Sequence, residues 1–217
     1  MRSIESMVYA MKTQVIAIGS VVVLVAILVA AGGCQAVRAG YETASYRVIQ
    51  SDGSFQLREY PTLQWVETSM ASPSGDSDGS FGRLFRFITG GNQAQQKIAM
   101  TTPVYMTSTA TPGNSTQRVM AFVMPKDMVA TAVPAPSDAS VRRREVPAGR
   151  FAVRRFSGGR SLEREEEFLG ELRAWVAARG LSVADPTPIY GYFDPPWTPS
   201  IFRRNEVMLR VTEPVAP

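Results

Sequence analysis

The phrase "TTPVYM" at residues 101–106 returns as "PTPIYG" at residues 186–191, and this recurrence constrains the fold more than any compositional figure. A second echo accompanies it: "REYP" at 58–61 and "REVP" at 144–147 each stand ahead of an apolar, strand-like run. From Arg58 to Arg144 is 86 positions, and from Thr102 to Thr187 is 85, so two separate phrases share nearly one spacing. A helix-like stretch lies between the members of each set, and a further β-like run follows each, "RVMAFVMP" at 118–125 and "EVMLRVTE" at 206–213. The period is far too long for a solenoid repeat. The chain reads as strand, strand, helix, strand, strand, written twice, with halves at about 46–125 and 141–213 joined by an Ala/Pro connector at 128–140.

Within the first half, "YRVIQSDGSFQLREY" alternates and turns at Asp52-Gly53, a hairpin signal. "SPSGDSDGS" at 72–80 is a loop by composition. Phe81, Leu84, Phe85 and Ile88 then fall at i, i+3, i+4 and i+7, which predicts one apolar stripe of a short helix ended by Gly90-Gly91. In "KIAMTTPVYM" a period of two puts Ile98, Met100, Thr102, Val104 and Met106 on one strand face and Lys97, Ala99, Thr101 and Tyr105 on the other. Pro103 cannot donate to a ladder and marks an edge, a bend or a bulge. "STATPGNSTQ" at 108–117 reads as a hairpin loop.

The second helix has clearer boundaries. Ser161 is placed as N-cap, acidic residues at 163 and 165–167 suit the positive end of the helix dipole, and Gly180 stands beyond the last turn. Its predicted buried stripe is Leu162, Phe168, Leu169, Leu172, Trp175 and Val176. The late segment "YFDPPWTPSIFRRNE" at 192–206 carries too many prolines for a helix or a central strand, yet it is rich in aromatic and apolar residues. A loop that apolar normally covers something.

An uncharged apolar block at 15–31 follows Lys12 and leads to Gly32-Gly33-Cys34. Basic start, apolar middle and small-residue exit are the parts of an export signal. Cys34 after Ala-Gly-Gly suits a lipobox, in which the thiol is acylated; Ala31 stands three positions before it. The alternative is an uncleaved anchor, since 17 apolar residues come near the lower limit for spanning a bilayer. Either reading makes residues 1–34 a signal or anchor and 35–45 a tether, and places the domain in the cell envelope, exported and membrane-held.

Histidine is absent and Cys34 is the sole cysteine, which excludes His-based triads, Cys/His zinc sites and an intrachain disulfide. The net charge of +4 gives only weak attraction for phosphate, and paired arginines on strands, such as Arg154-Arg155, face opposite ways, so the sequence points away from nucleic acid.

"KIAMTTPVYM", "AVRRFSG" at 152–158 and above all "YFDPPWTPSIFRRNEV" at 192–207 resemble the SOUL/heme-binding protein family, over roughly residue 41 to the C-terminus. The resemblance implies an α+β fold, a twisted antiparallel β-barrel of two pseudo-symmetric ββαββ halves with one helix on each. It further implies a non-enzymatic binder of heme or another planar tetrapyrrole. Carried over by position, Phe81, Leu84, Phe85 and Ile88 would line one side of the site, and Trp197, Ile201 and Phe202 the other. Propionates would meet Arg83, Arg86, Lys97, Arg203 or Arg204. With no histidine, any iron ligand would come from Met100, Met106, Tyr105, Tyr190 or Tyr192. Two other readings stand beside this one. The first is a carboxylate-dependent hydrolase using Glu59, Glu145 or Glu206; the second is a structural envelope lipoprotein that binds a partner through the aromatic loop.

Overall fold

The computed structural model describes residues 40–71, 79–111 and 115–212. Cys34, the apolar block, most of the 72–80 loop and the hairpin tip at 112–114 therefore lie outside the described residues. Strands β1 (Glu42–Thr43), β2 (Arg47–Asp52), β3 (Phe55–Tyr60) and β4 (Leu63–Ser69) precede helix α1 (Ser80–Ile88). Next come β5 (Thr101–Thr102), β6 (Val104–Thr111), β7 (Ser115–Val123), β8 (Val141–Val146) and β9 (Gly149–Phe156). Helix α2 (Leu162–Ala178), β10 (Ser182–Tyr192) and β11 (Asn205–Thr212) complete the order.

β1 pairs in parallel with β5; the other nine strands form one antiparallel sheet in the order β2-β3-β9-β11-β10-β6-β7-β4-β8. Two connections force this sheet to curl. β3, second in the order, reaches β4, eighth, through Pro61 and Thr62 alone. A flat sheet would separate them by roughly 29 Å, whereas two linking residues span about 10 Å. β8 and β9, ninth and third, are joined just as tightly through Pro147 and Ala148. The curl stops short of closure: β2 and β8 are edges of the sheet, so the expected barrel is instead an open, strongly wrapped sheet in an α+β fold.

Several pairings exchange under the spacing of the sequence echoes. Arg58 faces Phe151 across β3 and β9, and Trp65 faces Arg144 across β4 and β8. Each pair becomes the other when one partner is advanced and the other set back by 86. Tyr60↔Gly149 and Leu63↔Val146 are related in the same way. At the centre of the sheet, Tyr190↔Met106 and Gly191↔Tyr105 exchange under the 85-residue spacing.

Alternation sorts the strands onto two faces. Tyr60, Trp65, Tyr105, Phe151, Val153 and Met208 fill the concave side. On the convex side α2 covers Leu57, Ala152, Val207 and Leu209, while α1 covers Val66, Met106, Met120 and Phe122. Among the described residues, all three clusters lie between residues 44 and 211. α2 begins as its sequence implies, with Ser161 Oγ accepting from Arg164 N–H at 3.2 Å, and Gly180 follows its end at φ +65°.

Three local expectations are corrected. Residues 97–106 do not form one continuous strand; a cis Thr102–Pro103 bond separates β5 from β6. The 108–117 segment is mostly ladder, with β6 and β7 paired as far as Thr111↔Ser115. On α2, Leu162 is half exposed and Glu165 is buried, so the buried stripe starts one turn later than its apolar residues suggest.

Candidate functional site

Five of the nine residues of α1 are large and apolar, more than one face can hide. Contact with β4 and β7 selects Leu84, Phe87 and Ile88, with Ser80, as the buried side. Phe81 and Phe85, predicted to belong to that stripe, instead stand at 44% and 46% exposure. Leu84 and Ile88 are core and unavailable to a ligand. The outward phenylalanines stack on each other, with centroids 5.9 Å apart and planes inclined by 14°. Phe81 also meets the buried Phe122 ring edge-on at 5.3 Å, which fixes the pair to the core.

Phe81, Phe85 and Thr89 follow at i, i+4 and i+8, and Thr89 forms an isolated bridge with Lys97. The exposed aromatic stripe therefore ends at a cationic residue, and exposed Arg86 lies in the last turn of the helix. Arg83 is committed elsewhere: its Nε donates to Thr68 Oγ1 at 3.0 Å and its Nη2 to Ser69 O at 2.6 Å.

The late loop has different neighbours. Trp197 and Ile201 are 81% and 70% exposed, while Phe202 is half-buried. Arg203 turns inward on the loop itself, its Nε donating to Thr198 O at 2.7 Å and its Nη2 to Pro196 O. Arg204 Nη2 pairs with Glu206 at 2.7 Å, and its guanidinium lies 4.1 Å from the Phe193 ring. Both arginines thus hold the loop together. The loop rests on the β9–α2 turn through Gly158 N–H to Ser200 O at 2.9 Å.

The proposed iron ligands are largely internal. Met106 packs beneath α1, and Tyr105 is buried and stacked on Trp65 at 4.8 Å. Met100 is partly buried against the α1 cluster. Tyr190 O–H donates to the backbone carbonyl of Glu165, and Tyr192 O–H to its carboxylate at 2.6 Å. Burial pushes Tyr190 up to about 12 and Tyr105 and Tyr192 well above the usual phenol range, so these rings hold their protons at neutral pH. The structure thus presents no ready phenolate among them.

Glu165 is the hub of this region, taking Arg118 Nη2 at 2.5 Å and Arg160 Nε at 3.1 Å beside Tyr192. Tyr192→Phe is expected to cost about 1–2 kcal/mol, because a bond to a buried charge is lost while both arginines remain. The shift in urea midpoint measures it.

The carboxylates considered as bases are engaged in structure. Glu59 pairs with Arg47 at 2.6 Å, whose hydrogen bond holds its carboxyl low, and Glu145 accepts from Gln64 Nε2 at 3.0 Å. Glu206, 1% exposed, is clamped by Arg58 and Arg204. Burial pushes its carboxyl up, but the arginine bonds outweigh that and hold it below the ordinary value.

Sequence reasoning missed a cavity of about 510 Å³ on the concave side, walled by Trp65, Val146, Phe151 and Ile189, with Arg144, Arg210 and Asp185 among its polar lining. Arg144 is paired with Glu67, and Arg210 donates to Ala148 O and Pro147 O, bracing the β8–β9 link. The available signal was positional: Trp65 and Phe151 are 86 residues apart, at matching places in the two halves.

A family model described as SOUL heme-binding protein matches residues 41–210. The chain belongs to the SOUL family. Human heme-binding protein 2 is 41% identical over 54 residues, covering 24% of this chain and 26% of that protein, so the match spans about a quarter of the relative's length. Among solved structures, this SOUL domain superposes on an uncharacterized conserved protein from Listeria innocua (TM-score 0.56, 9% identity, 73% of this chain and 92% of that one). It also superposes on a hydrolase from Listeria innocua (0.53, 8%, 76% and 94%) and on the EcmrR C-terminal domain (0.52, 14%, 77% and 98%). At such identities these likenesses establish the fold alone.

Proposed function

We propose that this SOUL domain binds heme or a related flat tetrapyrrole, without acting on it chemically, against the outward Phe81–Phe85 face of α1. The family and the human relative named for heme supply the ligand class. One observation carries the location: two stacked phenylalanines face solvent on a helix whose other side already fills the core. Rings in that arrangement offer a porphyrin an apolar surface, and Arg86 and Lys97 would meet its carboxylates. Covering about 300 Å² of apolar surface would contribute roughly 7 kcal/mol before association costs, enough for a modest site. The buried, protonated tyrosines and the buried Met106 fit binding by face contact better than binding through an axial ligand. When bound, heme would supply iron redox chemistry; the protein's part is to hold and shield one face.

Two further elements belong to this reading. The repeated phrases are taken as two copies of one half-domain, which the exchanged pairings support. The N-terminus is taken to hold the domain at a membrane through Cys34 or residues 15–31. Among the described residues no helix is long and apolar enough to cross one, so that reading rests on the sequence of the N-terminal segment.

A second location for the same ligand class is the concave cavity, favoured by Trp65 Nε1, a buried donor in its wall with no hydrogen-bond partner among the described residues. Hemin titrated into a fragment from Gln35 onward separates the two. A saturable Soret shift is expected, with Phe81→Ala/Phe85→Ala raising Kd about thirty-fold, the equivalent of about 2 kcal/mol for two aromatic contacts. Unchanged affinity in that variant, with a loss in Phe151→Ala, would move the ligand to the cavity.

A further inference from the structure

We propose that the late loop docks on a lipid bilayer, with Trp197 and Ile201 entering its headgroup region; the inference rests on the membrane-tether reading above. These are the two most exposed large apolar residues among those described, and the loop gives them no freedom to fold back. Pro195, Pro196 and Pro199 stiffen it. Arg203 ties Thr198 O and Pro196 O, Arg204 N–H donates to Asp194 Oδ2 at 2.6 Å, and Phe193 N–H to Arg204 O at 3.2 Å. A loop so thoroughly bonded to itself presents its indole and its isoleucine outward by construction.

The surroundings extend this apolar tip. Through the Gly158–Ser200 bond the loop abuts the turn that leads into Leu162, itself 51% exposed. Exposed Arg155 lies beside the base of the loop, one position from the Phe156↔Asn205 pair, and suits an anionic headgroup layer. An exposed amphipathic indole with a cation at the base of its loop suits the headgroup interface.

What selects a bilayer as the occupant is the length of chain outside the described domain and where it ends. Arg204 Nη2, at the base of the loop, lies 3.5 Å from Tyr46 Oη, three residues after β1, the first strand of the described chain. Residues 35–40 span at most about 20 Å behind an acylated Cys34, and residues 32–40 at most about 30 Å behind an anchor ending at Ala31. Whichever anchor holds the N-terminus, this end of the domain stays close to the lipid surface.

The three tryptophans allow a direct test. Trp65 and Trp175 are buried, at 2% and 7%, so quenching from the membrane reads Trp197. The full chain is reconstituted into phosphatidylcholine/phosphatidylglycerol vesicles with brominated acyl chains and separated by flotation. Expected are a blue-shifted emission and bromine quenching, both abolished by Trp197→Phe. Protein that floats with unquenched emission overturns the docking proposal and leaves the tether standing. A blue shift without bromine quenching means that protein, for example a second copy, covers the loop, and overturns it too. A chain that does not float overturns the tether and the docking together.

Discussion

Arg58→Ala is expected to destabilise the domain by about 3–5 kcal/mol, among the largest effects of any single substitution outside the apolar core. Arg58 is fully buried and meets both oxygens of Glu206, at 2.8 and 2.9 Å. It also donates to Tyr60 O–H at 3.1 Å and lies 4.1 Å from the Tyr46 ring. Its removal strands a buried carboxylate with Arg204 as its remaining cation. Replacing both partners with apolar residues, Arg58→Met/Glu206→Leu, should recover most of the loss, because two desolvated charges disappear together. Urea unfolding at pH 7 measures both. A loss below about 1 kcal/mol in Arg58→Ala would mean that the pair contributes little. The same cluster sets a pH dependence. Because the folded carboxyl of Glu206 sits below its ordinary value of 4.5, its stabilisation is fully present above that pH and is lost as pH falls through the depressed folded value. Unfolding midpoints of the wild type should therefore fall below about pH 4.5, and those of Arg58→Met/Glu206→Leu should fall less.

Leu172→Ala is expected to cost about 3–5 kcal/mol and Leu162→Ala less than about 0.5, although both leucines lie on α2 and the sequence assigns both to one buried stripe. Leu172 is fully buried among Phe168, Trp175 and Leu209, so truncation leaves a cavity that rigid neighbours cannot fill. Leu162, in the first turn, stands half in solvent. Equal costs in urea unfolding would contradict this packing of α2 on the sheet.

The contrast shows where reading the sequence stops. The 86-residue spacing of the echoes also relates two strand pairings, Arg58↔Phe151 and Trp65↔Arg144. The cap at Ser161 was legible because capping is local. Closure was not legible: whether β2 meets β8 depends on the accumulated curl of nine strands, which no local phrase encodes. The α1 stripe failed because five apolar residues in nine offer overlapping faces, and only the sheet chooses between them. Glu206 drew attention as a possible base, yet its partner Arg58 lies 148 residues away in the chain. A hint existed in "QLREY", where strand alternation puts Arg58 on the same face as Tyr60, a charge in step with aromatic residues. Met106 and Tyr105 looked like ligands by residue type alone, and burial removed them.

The phenylalanine platform was half legible. The residues were singled out, but as part of a buried stripe, and their outward placement is what the proposed binding face rests on. Amide NMR spectra of the domain titrated with metal-free protoporphyrin IX test this most directly, because ring-current shifts report position without requiring iron. Saturable shifts concentrated at residues 81–89 and at Lys97 are expected. Shifts confined to Trp65, Phe151 and Ile189, or to the 193–204 loop, would contradict it.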